Sequence, residues 1–325
     1  MADLLSLGEL LIDFTPVGTS ENNNPIFERN PGGGPANMAC AYAKLGGSAA
    51  FVGKVGDDNF GRALKAVLEQ NRVDAGNLVL SKDYQTTLAF VHLDDQGDRS
   101  FSFYRRQGAD TMLSFEEIDL EKLRQAKFLF FSSVLMTEGP SRETSFQLAE
   151  YACEQKKSTG LQVVFDPNLR LNLWNSEEDA RQCALRAMRY ADIVKISEEE
   201  LTFLTGEQDL HRAAKTLLET DSVKLLLATL GKKGCFAMTG SRTVSHEGFP
   251  EVKTIDTTAA GDSFTGGFLY ALTQMGKDAA LLDKDELTSC IEFANAVGSL
   301  TTTKKGAICA LPTLSEAEAL IASRR

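Results

Sequence analysis

The chain of 325 residues carries 34 Lys and Arg against 45 Asp and Glu, a net charge of -11. An acidic surface repels phosphate backbones and anionic lipid, which argues against nucleic acid and membranes as partners while leaving room for a small anion in a locally basic pocket. Six cysteines without a C-x-x-C pair and three histidines without ligand spacing give no zinc site or His-based triad, and the start, Met1-Ala2-Asp3-Leu4-Leu5-Ser6, has no signal-peptide pattern. No run approaches the roughly 20 apolar residues of a membrane span, so a cytoplasmic protein is expected.

Leu4 to Phe14 reads as a first, central strand, interrupted by Gly8-Glu9, whose far end delivers Asp13. A dinucleotide-binding protein would continue with G-x-G-x-x-G, and Glu9-Leu10-Leu11 stands there instead. Pro31-Gly32-Gly33-Gly34-Pro35-Ala36-Asn37 then runs into an apolar helical pattern. Its glycines allow close approach to a ligand and Asn37 offers both donor and acceptor, although a plain helix-start turn has the same composition. Gly53-Lys54 is no phosphate loop, because five residues rather than four separate it from Gly47 and Val55 replaces the hydroxyl that binds magnesium. Residues 87–93 and 99–105 flank Asp94 to Asp98 as a hairpin with one covered face. With residues 13–30 it predicts a small sheet outside the main one, a lid built from about 13–30 and 87–110, or a dimer-forming flap; the two are compatible.

From Phe128 onward the rhythm is regular. Phe128 to Met136, Gln162 to Phe165, Ile193 to Ile196 and Lys224 to Ala228 read as strands, and 141–156, 176–190, 198–204 and 209–219 as helices. Such alternation predicts an α/β fold with a mostly parallel central sheet covered by helices on both faces, formed over residues 1–325 as one domain. Ligands gather at the carboxyl ends of parallel strands. There the sequence places Asp166-Pro167-Asn168-Leu169-Arg170, Ser197 to Glu200 and Thr229 to Gly234. Finally Asp256-Thr257-Thr258-Ala259-Ala260-Gly261-Asp262-Ser263-Phe264 joins small residues to one acid at the start of an apolar helix. It is either a helix cap or an anion-binding turn with a carboxylate beside it.

Taken together, these segments resemble the ribokinase-like (phosphofructokinase B) family of sugar kinases in order and over nearly the whole chain, and within it most closely the fructokinases. The resemblance implies a three-layer α/β domain with a β lid, ATP and Mg2+, and a sugar surrounded by Asp13, Gly33, Asn37, Arg105 and Arg170. It implies that Lys195, Thr229, Gly231, Gly234 and Asn295 serve the nucleotide, and that Glu200 places the magnesium-bound phosphates through water. Asp262 would be the base, with Ala260 and Gly261 in the anion hole, and a potassium ion would involve Asp256 and Thr258. Two positions depart from the family pattern: Ala259, where Gly is usual, and Ser197, where Asn is usual.

The implied reaction is γ-phosphoryl transfer to a hexose primary hydroxyl, fructose first; 2-keto-3-deoxygluconate, whose acid group would meet the arginines directly, is the alternative substrate. A non-catalytic sugar sensor of kinase descent is the alternative of another class, and the retained Asp262, Gly261, Glu200 and Asn37 speak against it. An ordinary aspartate, with a pKa of roughly 3.9, is a weak base for an alcohol, so Asp262 is expected to accept its proton late, as the bond to phosphorus forms.

Overall fold

The computed structural model describes residues 2–93, 99–219 and 222–324; the proposed hairpin turn at 94–98 lies outside them. Thirteen strands are present among the described residues: β1 (Leu4–Leu7), β2 (Leu11–Thr19), β3 (Pro25–Gly32), β4 (Ala49–Gly56), β5 (Val73–Ser81), β6 (Leu88–Leu93), β7 (Arg99–Tyr104), β8 (Phe128–Ser132), β9 (Gln162–Asp166), β10 (Ile193–Ser197), β11 (Leu225–Thr229), β12 (Cys235–Thr239) and β13 (Thr243–His246). The helices are α1 (Gly34–Lys44), α2 (Asn59–Gln70), α3 (Glu121–Arg124), α4 (Ser141–Thr159), α5 (Glu177–Met188), α6 (Glu198–Thr205), α7 (Leu210–Leu218), α8 (Ala260–Met275), α9 (Lys284–Thr301) and α10 (Leu314–Ala322).

The main sheet has the order β13-β12-β11-β10-β9-β8-β1-β4-β5. Its strands run parallel from β11 to β5, and β12 and β13 continue it antiparallel. Alternate residues of each strand face opposite layers, as a period of two requires. Leu4, Phe128 and Phe130 pack with α1, α8 and α9, while Leu5, Leu129 and Phe131 pack with α4, α5, α6 and α7. Because both faces are covered, the strands read as continuous apolar runs, which is why their rhythm is visible in the sequence.

The second sheet has the order β3-β2-β6-β7, with β2 and β6 parallel and the outer pairs antiparallel. One strand expectation is corrected here. Leu4 to Phe14 is not a single central strand: β1 ends at Leu7, the chain turns through Gly8 to Leu10, and β2 enters the small sheet. A side chain at Gly8 would come within 2.0 Å of Pro35, so the turn is fixed by a contact remote in sequence. Similarly, β8 stops at Ser132 and residues Val134–Met136 form a 3-10 turn, so the apolar run to Met136 is two elements.

Candidate active site

Helix α8 begins at Ala260, so Asp262 is its third residue rather than its first. Ala259, the residue before it, is left-handed at φ 59° and ψ 9°. That conformation costs an L-residue roughly 1–2 kcal/mol. The turn is therefore formed with alanine in place; the Ala260 N–H donates to the Thr257 carbonyl at 3.2 Å, and the first-turn N–H groups of Gly261 and Asp262, which lack acceptors within the helix, lie at the positive end of its dipole. The Asp262 Oδ2 accepts a hydrogen bond from Asn37 Nδ2 at 2.9 Å, joining the starts of α8 and α1. Buried Asn37 Oδ1 has no partner among the described residues, leaving an acceptor for a ligand hydroxyl.

Two cavities meet at this turn. One, of about 350 Å³, is walled by Glu9, Asp13, Gly33, Asn37, Arg170 and Asp262, with Phe103 and Leu173 as apolar surface. The other, of about 510 Å³, is bordered by Thr229, Gly231, Gly234, Phe249 and Asn295. Thr257, Ala260 and Gly261 belong to both. The second cavity is a cradle of backbone. Gly231, Gly234 and Gly248 all have positive φ, and a Cβ at Gly234 would lie 1.9 Å from the His246 carbonyl oxygen. Its far wall is fastened from the last turn of the chain: Arg324 stacks over Phe249 at 4.2 Å and donates to Glu251 and the Gly248 carbonyl.

The profile of the pfkB family carbohydrate kinases matches residues 1–314. The chain belongs to this family. It is 43% identical over 320 residues to a probable fructokinase-4 of Arabidopsis thaliana, covering 98% of this chain and 96% of that protein. The fructokinase of Xylella fastidiosa with bound ATP superposes with a TM-score of 0.90 at 34% identity, covering 100% of this chain and 99% of that one. The fructokinase of Vibrio cholerae in its fructose, ADP and calcium form gives 0.86 at 35% identity, covering 98% and 99%. As a pfkB family kinase, this protein is a phosphotransferase that acts on a sugar hydroxyl.

In this kinase, burial raises the Asp262 carboxyl above the usual aspartate range, although Asn37, Lys195 and Arg170 pull it down. That reverses the expectation of an unusually weak base: desolvation outweighs the helix dipole, and the ionised carboxylate holds a proton better than a surface aspartate does. Burial also pushes Asp13 up to about 6, against Arg170. Beneath both lies Glu9, which the sequence reading passed over. It is 3% exposed, its Oε1 accepts from the Gly34 N–H at 2.9 Å, and burial raises it to about 7. An acid inside an apolar run next to glycine was the signal that marked it.

Other expected residues sit differently. Arg105 is not on the cavity wall. It is 3% exposed, and its guanidinium is taken up by Asp110 at 2.8 Å, Thr137 and the Val134 carbonyl. Strand β7 ends at Tyr104, so the chain turns Arg105 inward while Phe103 lines the cavity. Glu200 lies outside both linings: its oxygens accept the N–H groups of Leu169 at 2.6 Å and Ser197 at 2.9 Å, and Ser197 caps α6. Lys195 lines the smaller cavity and not the larger one, 2.9 Å from Asp166 Oδ2. Asp256 accepts from Thr258 at 2.7 Å and from the Gly306 N–H at 3.1 Å, tying the turn before α8 to the segment after α9. Trp174, after Leu173, is 8% exposed with the Arg142 guanidinium 5.8 Å over its ring.

Proposed function

We propose that the protein is an ATP-dependent fructokinase that converts D-fructose to fructose 6-phosphate. The observation that carries this reading is the position of Asp262, on the wall of a polar cavity and directly after Ala260 and Gly261, which border both that cavity and a glycine-cradled one. The sugar occupies the smaller cavity, with hydroxyls toward Asp13, Asn37 and Arg170 and the backbone of Gly33. The nucleotide lies along Thr229, Gly231 and Gly234, its base near Phe249 and Asn295. The primary hydroxyl attacks the γ-phosphorus, its proton passes to Asp262, and the amides of Ala260 and Gly261 receive the charge of the phosphoryl oxygens. Positioning supplies most of the acceleration, because the transition state is loose.

Magnesium fits this donor set as an ion carried by the phosphates. No cluster of three acids, histidines or cysteines forms a cage among the described residues, and each Glu200 oxygen keeps a lone pair for a metal-bound water. Bound there, it would neutralise phosphate charge. A potassium ion bordered by Asp256 and Thr258 would act on the turn that aims the α8 amides.

The balance of charge favours a neutral sugar over 2-keto-3-deoxygluconate. At the cavity wall Asp13 and Asp262 stand against Arg170 and Lys195, Glu9 adds part of a negative charge at neutral pH, and Arg105, the second arginine an acid substrate would use, is committed to Asp110. A panel of fructose, 2-keto-3-deoxygluconate, ribose and adenosine, compared by kcat/KM in a coupled ADP-release assay, tests the assignment. Fructose is expected to lead, and a higher value for the acid would overturn the reading. No helix among the described residues is long and apolar enough to cross a membrane. A homodimer formed through the lid would use its exposed Val17, Ile26 and Tyr104, and sedimentation velocity measures it.

A further inference from the structure

We propose that Lys195 is a catalytic residue whose ammonium donates to the phosphoryl group while that group lies between ATP and the sugar; the inference rests on the sugar-kinase reading. Lys195 sits on β10 with its side chain almost wholly buried, and it reaches the sugar cavity beside Ala260, Gly261 and Asp262. A methyl group at Gly261 would stand 3.0 Å from its Nζ, so the ammonium is packed against the first turn of α8, where the two cavities meet. Behind it, Asp166 at the end of β9 accepts a hydrogen bond at 2.9 Å and fixes its position. An ammonium has three donors, and the bond to Asp166 uses one.

Charge makes a cation necessary at this point. A phosphoryl group approaching the sugar hydroxyl also approaches the Asp262 carboxylate, and in a buried site two anions repel strongly. Arg170 stands exposed at the rim, whereas Lys195 is buried between Asp166 and the α8 turn. Burial alone would favour the neutral amine, but Asp166, Glu200 and Asp262 outweigh it and keep the group protonated. During transfer the bond from the γ-phosphorus to the β–γ bridging oxygen breaks, and its electron pair stays with ADP. The sugar oxygen forms the new bond to phosphorus and releases its proton to Asp262. Lys195 keeps its own proton throughout and offers N–H to an equatorial phosphoryl oxygen. It is thus the side-chain counterpart of the α8 amides, held by the buried Asp166 carboxylate.

The test compares Lys195→Met, Lys195→Arg and the double variant Lys195→Met/Asp166→Asn. The double variant removes the unpaired buried carboxylate that could keep the single one from folding. Rates are read on whichever panel sugar the wild type phosphorylates fastest, so failure of the fructose assignment remains separate from failure of this one. The folded double variant is expected to lose about 10²–10³ in kcat, the range for removal of one preorganised donor. Its calorimetric affinities for sugar and for ADP are expected to stay within about threefold. In the wild type, aluminium fluoride with ADP and sugar should form a tight transition-state mimic; in the double variant that tightening should vanish, and Lys195→Arg should recover part of it. A kcat within about threefold of wild type, or a raised KM for ATP with kcat and the fluoride complex unchanged, overturns the proposal.

Discussion

Replacing Glu9 by Gln should make the protein more stable at neutral pH, and the size of the gain follows from its surroundings. The carboxyl is buried at the wall of the smaller cavity, and burial raises it from 4.5 to about 7 despite the Gly34 N–H and Arg105. At about 1.4 kcal/mol per pH unit, that rise corresponds to roughly 3 kcal/mol. For an acid whose folded pKa is raised, the native state binds the extra proton. Stability is therefore fully present below pH 4.5, falls as pH rises toward 7, and is flat above it. Gln is neutral at every pH and its Oε1 can still accept from Gly34, so Glu9→Gln removes this slope. The variant should match wild type near pH 4.5 and exceed it by up to roughly 3 kcal/mol at pH 8, about 4 °C in Tm for a chain of this length. Thermal melts of both proteins from pH 4.5 to 8 measure the difference. A gap independent of pH, or a less stable variant at pH 8, would refute the argument and mean that the ionised Glu9 is held by Arg105 after all.

Asp262→Asn should lower kcat by roughly 10²–10⁴ while fructose affinity, measured by calorimetry, changes little. Because burial raises the Asp262 carboxyl, the acid limb of the wild-type kcat profile should lie above the ordinary aspartate value of 3.8, with activity lost as pH falls through it. Arg105→Ala should act on stability first: it leaves Asp110 buried without its ion pair, at a cost of about 3–5 kcal/mol. A large rise in KM for fructose with an unchanged melting temperature would instead return Arg105 to the sugar. Gly234→Ala should raise KM for ATP about tenfold and leave that for fructose alone. Strain at φ 95° and the His246 carbonyl both oppose a side chain there. Unaltered ATP kinetics would remove Gly234 from the nucleotide cradle.

What the sequence made legible depended on whether local pattern or remote contact set the structure. Strands β8 to β11 and the helices between them are visible because each strand is buried on both faces and each helix carries its own apolar stripe. The Asp256 to Phe264 turn is visible as a helix start because small residues run to one acid before an apolar helical pattern, while its reading as an anion-binding turn rather than a cap came from the resemblance. Leu4 to Phe14 misleads, since Leu10 and Leu11 extend the apolar run while the break at Gly8 is imposed by Pro35 on α1. Arg105 misleads for a related reason. Alternation places it on the face of Phe103, but the strand ends one residue earlier and Asp110 draws the guanidinium inside. The family resemblance implied that Lys195 serves the nucleotide. Only the pairing of β10 with β9, which sets it beside Asp166, shows that it borders the smaller cavity.

The sequence has one tryptophan, Trp174, directly after Leu173, which lines the smaller cavity. Trp174 stands at the end of the segment that carries Arg170, with Arg142 over its ring. The kinase thus has a built-in optical probe: all of its indole emission comes from one ring, next in sequence to a residue of the smaller cavity. On the proposed assignment of the smaller cavity to the sugar, a sugar that meets Arg170 would change the surroundings of that ring. Stopped-flow fluorescence can then time the arrival of sugar separately from that of nucleotide, with no label attached.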